Sequence, residues 1–105
     1  MKVYNKLVRD KIPQVIEADG RKCEVSTVSK EQLQPLLEEK LKEEVNEFLE
    51  DKNLEELADI MEVIFGLAEN LGYSEDDLIK KREEKKEARG GFKDGVFLKS
   101  VTEIL

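Results

Sequence analysis

Apolar residues between positions 29 and 50 recur every three or four residues, which is the spacing of one helix face. This first apolar stripe consists of Leu33, Leu37, Leu41, Val45 and Phe48. Ser29 followed by Gln32 is a capping-box pair, which satisfies backbone N–H groups where a helix begins. The pattern therefore predicts a long helix that starts after Ser29 and runs to about Glu50.

A second long helix is predicted over residues 54–71, after a short polar connection at residues 51–53. It has two apolar stripes, formed by Leu57, Met61, Ile64 and Ala68 and by Ile60, Val63 and Leu67. A connection this short makes the two helices antiparallel neighbours. Because the second helix is apolar around most of its circumference, we expect it to be central in the fold or buried in a subunit interface.

The N-terminal part of the chain predicts less regular structure. Residues 5–18 have a helical apolar pattern, but Pro13 is tolerated only near a first turn, so the helix either starts around Lys11 or is broken there. Residues 23–28 are β-prone but too isolated to form a sheet of their own.

A third long helix is predicted over residues 75–89, opened by Ser74 and stopped by the glycines at 90 and 91. The tail, residues 92–105, is predicted to be irregular or to form a short hairpin around Asp94 and Gly95. The whole chain, residues 1–105, is thus expected to be one all-α domain. We predict an antiparallel helical bundle that is completed by oligomerisation, as a homodimer or homotetramer.

Composition narrows the function classes. The net charge of −7 argues against a general nucleic-acid-binding protein, which needs a basic footprint. The chain has no histidine, which removes the usual general base and most zinc sites. Cys23 is the only cysteine, so no internal disulfide forms, and we expect a cytoplasmic protein. No apolar run is long enough to predict a signal peptide or a membrane span.

Acidic residues cluster in the middle third. Glu44 and Glu47 are three apart, as are Glu56 and Asp59, so each pair shares a helix face. Glu44 lies about 20° from Leu37 around the first helix, which puts a carboxylate on the apolar stripe. Facing pairs of this kind form a box of oxygen ligands, and such a box selects Mg²⁺ or Mn²⁺. The alternative is a solvated acidic face in which Lys40, Lys42 or Lys52 pairs with the acids.

The C-terminal third is basic, with eight basic and four acidic residues at positions 80–99. Lys81, Lys85 and Arg89 are four apart and form one stripe that is suited to binding the phosphates of a substrate. Pairing of these residues with Glu84 and Glu87 is an equally good interpretation of the same spacing. Arg9 and Lys11 are further, weaker candidates.

Three segments carry a resemblance to a known family. The sequence EEVNE (residues 43–47) followed by ELAD (residues 56–59) resembles the EExxE…ExxD signature of the MazG-like all-α nucleoside triphosphate pyrophosphohydrolases, a superfamily that includes phosphoribosyl-ATP pyrophosphohydrolase. YNKLVRDKIP (residues 4–13) and ARGGFKDGVFL (residues 88–98) resemble a small single-domain branch of it.

The resemblance implies Mg²⁺ held by Glu44, Glu47, Glu56 and Asp59, with Glu43 as a further ligand or a base. It implies hydrolysis of a nucleoside triphosphate to monophosphate and pyrophosphate, with removal of non-canonical nucleotides as the role. With no histidine in the chain, a carboxylate accepts the proton of the attacking water if any side chain does, and Glu43 and Glu44 are the catalytic candidates. The alternatives are a phosphoribosyl-ATP pyrophosphohydrolase-type activity, a non-catalytic helical module that binds a metal or a basic partner, and a structural bundle that uses the acids in ion pairs.

Overall fold

The computed structural model describes residues 1–104, which contain four α-helices and no strand. The helices are α1 (Ile12–Ala18), α2 (Lys30–Asp51), α3 (Leu54–Asn70) and α4 (Glu75–Arg89). Over this part of the chain the all-α prediction is confirmed. None of the helices described is long and apolar enough to cross a membrane.

Helices α2 and α3 pack against each other as an antiparallel pair. The predicted capping box is present at the start of α2, where the Ser29 hydroxyl accepts from the Gln32 backbone and the Gln32 side chain accepts from the Ser29 backbone. Asn53 caps α3, since its side chain accepts a hydrogen bond from the Glu56 N–H. Both helix starts thus follow from the local sequence, and only two residues connect the helices.

The core of the pair lies toward the C-terminal half of α3. Leu37 of α2 is buried, as are Val63 and Ala68 of α3. A Cβ added at Gly66 would come within 3.2 Å of a Leu37 methyl group, so the helices approach closely at this point. Asn70, at the end of α3, donates its amide N–H groups to the Lys30 carbonyl and the Gln34 side chain, which joins it to the start of α2.

The N-terminal helix is shorter than the apolar pattern of residues 5–18 suggests. It begins at Ile12 and has Pro13 in its first turn, so a start around Lys11 is correct and a longer helix broken at that point is not. Proline lacks the N–H that a helix interior needs, and in the first turn that N–H would have no partner within the helix, so Pro13 is tolerated there. Residues 23–28, which are β-prone in sequence, form no strand, because no second strand lies beside them to pair with.

Helix α4 has the predicted bounds and packs only against the C-terminal end of α3. Ser74 and Asp77 form its capping box, and Gly90, with a φ of 84°, ends it. In the tail, residues 92–104 are irregular apart from one turn, in which the Gly95 N–H donates to the Phe92 carbonyl. The irregular alternative is therefore correct for these residues, and position 105 lies outside the described range.

The two apolar stripes of α3 differ in exposure. Val63 is buried and its neighbours Ile60 and Leu67 are half-buried. On the other stripe, Leu57, Met61 and Ile64 are 46%, 56% and 39% exposed. The single chain therefore covers one stripe and leaves most of the other in contact with solvent.

Candidate metal centre at the acidic end of the helix pair

Five carboxylates gather where α2 ends and α3 begins, and we call them the acidic cluster: Glu43, Glu44, Glu47, Glu56 and Asp59. The i, i+3 spacing places the α2 acids on adjoining faces of one helix, and the α3 pair follows the same rule. The two-residue connection then brings the start of α3 beside the last turns of α2. Local sequence thus puts the acids on helix faces, and antiparallel packing brings the faces together.

Glu44 joins the two halves of the cluster. One carboxylate oxygen from each of Glu43, Glu44 and Glu47 lies within 4.8 Å of the other two, and the same holds for Glu44, Glu56 and Asp59. Glu44 belongs to both groups and is therefore the residue at which the predicted ligands of the two helices meet.

Two carboxylate oxygens in the cluster are buried and have no hydrogen-bond partner among the described residues. These are Oε2 of Glu44 and Oε2 of Glu56. Glu44 as a whole is only 7% exposed, although it is a glutamate on an apolar stripe. A buried carboxylate oxygen without a donor is strongly unfavourable, because it has lost water and gained nothing.

The pKa values respond to this crowding. Burial raises the pKa of Glu44, and so does the adjacent Glu47 carboxyl, through its charge and through a hydrogen bond that forms only when one of the two is protonated. Lys40 opposes this rise but does not cancel it. Burial, followed by the charges of Asp59 and Glu44, raises the pKa of Glu56. Both groups resist carrying their negative charge in the metal-free protein.

The pKa of Glu43 moves in the opposite direction. Burial acts to raise it, but a hydrogen bond from Lys6 and the charge of Lys40 outweigh burial, so the net pKa is lowered. Glu43 is the member of the cluster with two lysines in contact with it, at 3.2 Å and 3.5 Å.

Three cations contact the cluster. Lys40, one turn earlier on α2, lies 3.4 Å from Glu44 Oε1 as well as beside Glu43, and its side chain is only 17% exposed. Lys6 reaches Glu43, and Arg9 donates to Asp59 Oδ1 at 2.6 Å. Pairing by Lys40 had been anticipated as the alternative to a metal site. Three cations against five carboxylates still leave an excess of negative charge.

Lys6 and Arg9 are the neighbours of the cluster that spacing could not identify. They are 37 and 50 residues away from their acidic partners, and no periodicity links such positions. Their segment precedes α1 and is not helical. Both lie within the segment at residues 4–13 that resembles the family, and Arg9 is also one of the weaker phosphate-binding candidates of the sequence analysis.

The predicted phosphate-binding stripe lies elsewhere in the chain. Lys81 borders a groove between α4 and the C-terminal end of α3, and it pairs with Glu84 at 3.0 Å. Lys85 and Arg89 are exposed further along α4. Among the described residues, none of the three forms an ion pair with the acidic cluster. Their role in phosphate binding stays a prediction.

The donor set suits a hard divalent cation. All of the converging ligands are carboxylate oxygens, the type that Mg²⁺ and Mn²⁺ prefer. The two buried, unpartnered oxygens, one on each helix, are acceptors that a cation between the helices would satisfy. The residues present therefore fit the ion that the family resemblance implies.

Compared with models of known protein families, with curated proteins and with solved structures, the sequence has no significant match. What the protein does must therefore be inferred from its residues and from their geometry.

Proposed function

We propose that this protein is a Mg²⁺-dependent nucleoside triphosphate pyrophosphohydrolase. In this reaction water adds to one of the two phosphorus atoms that flank the α–β bridging oxygen. The bond from that phosphorus to the bridging oxygen breaks, and monophosphate and pyrophosphate are released. We propose removal of non-canonical nucleotides in the cytoplasm as the role.

The observation that carries the proposal is the pair of buried, unpartnered oxygens on Glu44 and Glu56, inside a cluster that has more acids than cations. A site built only for stability would pair these oxygens or leave them in water. Unsatisfied buried acceptors of this kind occur where a ligand completes the site. Four carboxylates, Glu44, Glu47, Glu56 and Asp59, would hold the cation.

When bound, Mg²⁺ supplies charge neutralisation of phosphoryl oxygens and a more acidic water. The base that the chain can offer is a carboxylate, since the chain contains no histidine. Glu44 and Glu43 are the candidates, and their pKa values differ in direction: that of Glu44 is raised and that of Glu43 is lowered. Both directions belong to the metal-free protein, and a bound cation would lower the pKa of Glu44, so they do not select one of the two as the base. Glu43, which Lys40 contacts from the same helix, is suited to orienting the water.

The exposed apolar stripe of α3 supports assembly as a homodimer or homotetramer. Leu57, Met61 and Ile64 lie along one face of a helix that starts at the metal centre. A second copy packed on this face would bury them and would complete the bundle. Light scattering of the wild type and of Met61→Glu, at micromolar concentration, tests this assembly. A monomeric wild type contradicts it.

The test of the activity is a panel of canonical and modified nucleoside triphosphates, incubated with Mg²⁺, with products separated by ion chromatography. We expect monophosphate and pyrophosphate from at least one substrate, and no product when the metal is chelated. Release of diphosphate and phosphate instead would contradict cleavage at the α–β bond. Including phosphoribosyl-ATP in the panel tests the alternative substrate.

Two further outcomes would replace the proposal. If the protein binds Mn²⁺ but turns over nothing in the panel, a non-catalytic metal-binding module is the better conclusion. If it neither binds Mn²⁺ nor turns over any substrate, the cluster serves the interhelix ion pairs of a structural bundle. The contacts of Lys6, Arg9 and Lys40 with the acids favour that last alternative over the module.

A further inference from the structure

The three cations at the acidic cluster differ in how firmly they are held. Lys40 is on the same helix as its partners, contacts two of them, and is mostly buried. Lys6 and Arg9 come from the non-helical segment before α1, and their side chains are 44% and 55% exposed. Each makes one ion pair, and each pairs with an outer acid of the cluster. Lys40 is thus a fixed counter-charge, and the other two are easily released.

The backbone that carries Lys6 and Arg9 is nevertheless positioned. Leu7 and Val8, between them, are half-buried. The Arg9 carbonyl accepts a 3.0 Å hydrogen bond from the N–H of Ile12, in the turn that opens α1. The two cations therefore stay beside the cluster when their ion pairs break, and only the side chains have to move.

We propose that Lys6 and Arg9 form a phosphate-binding arm of the metal centre. In the metal-free protein they neutralise Glu43 and Asp59, and they bind the triphosphate of the substrate once a divalent cation takes the carboxylates. This inference rests on the proposed metal site. It assigns phosphate recognition to the N-terminal segment rather than to α4.

Charge balance supplies the physical reason. A divalent cation bound by Asp59 and its neighbours takes over the negative charge that Arg9 had neutralised. The released guanidinium then adds positive charge next to the metal, where a polyphosphate has to lie. Exposed ion pairs change an equilibrium constant by only about fivefold or less, so releasing them opposes metal binding weakly. Arginine binds phosphate through two parallel hydrogen bonds, which makes the new contact stronger than the old one.

The first measurement is Mn²⁺ binding alone, by calorimetry, to Arg9→Gln and Lys6→Gln. Each variant loses an internal competitor of the metal, so we expect each to bind Mn²⁺ more tightly, by about two- to fivefold. Matched controls are Arg21→Gln, whose ion pair with Asp19 has no partner in the cluster, and Lys2→Gln, which lies on the same segment. Both controls should keep the wild-type affinity.

The second measurement is binding of inorganic triphosphate at saturating Mg²⁺, which avoids the unknown base. We expect Arg9→Gln to weaken binding by about tenfold or more, with a smaller loss for Lys6→Gln. Arg9→Lys keeps the charge but loses the planar fork, so it should restore the wild-type Mn²⁺ affinity and only part of the triphosphate affinity. The controls again stay at the wild-type value.

The proposed arm predicts that Arg9→Gln tightens Mn²⁺ binding and weakens triphosphate binding. If Arg9→Gln weakens both Mn²⁺ and triphosphate binding, Arg9 has only a structural role and the inference is wrong. If it tightens Mn²⁺ binding and leaves triphosphate binding unchanged, Arg9 is only a counter-charge, and the inference is again wrong. A wild type that binds no Mn²⁺ overturns the proposed metal site and the arm together. A wild type that binds Mn²⁺ and shows the opposite signs, but hydrolyses no nucleotide, overturns the enzymatic proposal alone.

Discussion

The polar groups at the two ends of the α2–α3 pair differ in whether they have hydrogen-bond partners. At one end, which we call the amide end, the Asn70 side chain donates to both Lys30 and Gln34. At the other end the acidic cluster buries oxygens of Glu44 and Glu56 that have no partner. The same two helices, with the same packing between them, satisfy their polar groups at one end and leave them unsatisfied at the other.

The difference separates stability from function. The amide end, with Leu37 packed against Gly66, has the features that hold an antiparallel pair together. The acidic end concentrates like charges, which oppose folding and which the proposed cation would neutralise. Substitutions at the two ends should therefore have effects of different kinds, and the following predictions test this division in order of decreasing effect.

The largest effect is expected on turnover at the acidic end. Glu44→Gln keeps the shape of the side chain and removes the charge shared by both groups of ligands, so pyrophosphate release at saturating Mg²⁺ should fall by at least about 100-fold. Asp59→Asn should act in the same direction. The matched control is Glu62→Gln, an exposed acid on α3, which should keep wild-type activity. Wild-type turnover in either cluster variant would mean that the carboxylates do not form the metal site.

The next effect is on stability at the core near the amide end. Leu37→Ala removes a buried side chain where α2 and α3 approach closely, and should lower the free energy of unfolding by about 2–4 kcal/mol. Leu54→Ala, at a residue that is 82% exposed, should change it by no more than about 0.5 kcal/mol. Urea denaturation measures both. Equal effects would show that the core does not lie at this end.

A smaller loss of stability is expected when the Asn70 side chain is removed. Asn70→Ala removes two hydrogen bonds between the helix ends, so we expect a loss of about 1–2 kcal/mol in the same denaturation experiment. Asn46→Ala, on the exposed side of α2, is the control and should be neutral or slightly stabilising, because alanine favours helix. An Asn70 variant as stable as the wild type would remove the contrast between the two ends.

The smallest effect is a pH dependence of stability between neutral pH and about pH 5, which arises from the raised pKa values at the acidic end. Folding raises the pKa of Glu44 and of Glu56, so the folded, metal-free protein binds protons more strongly than the unfolded chain. Stability with a chelator present should therefore rise as pH falls from neutral toward the ordinary glutamate pKa of about 4.3. The lowered pKa of Glu43 stabilises the folded state at higher pH, and this stabilisation is lost only as pH falls below that value.

Glu44→Gln tests the origin of this slope. The stability of this variant should depend less on pH between neutral pH and about pH 5. At neutral pH, the metal-free variant should also unfold at a higher temperature than the metal-free wild type. Glu62→Gln should keep the wild-type slope. A metal-free wild type that loses stability steadily over this range would contradict the assignment, since the sign would be reversed.

Sequence alone determined the helices and the faces that carry the acids. The periodicity of α2 and α3, the capping pairs at Ser29 and Ser74, and the short connection after Asp51 are local features, and local rules predict them well. The position of Glu44 on an apolar stripe was also visible, because it depends only on 100° per residue. For helix α1 the sequence left two possibilities, a start around Lys11 or a break there, and the structure has the start, at Ile12.

The tertiary structure alone decided which groups meet. That Glu44 belongs to both groups of carboxylates, that its Oε2 has no partner, and that Lys6 and Arg9 reach the cluster all depend on contacts between distant parts of the chain. The same holds for Lys81, which spacing placed on one face of α4 and which packing puts beside the C-terminal end of α3, away from the acidic cluster. Periodicity fixes the direction of a side chain from its own helix, and only packing between elements fixes what that side chain meets.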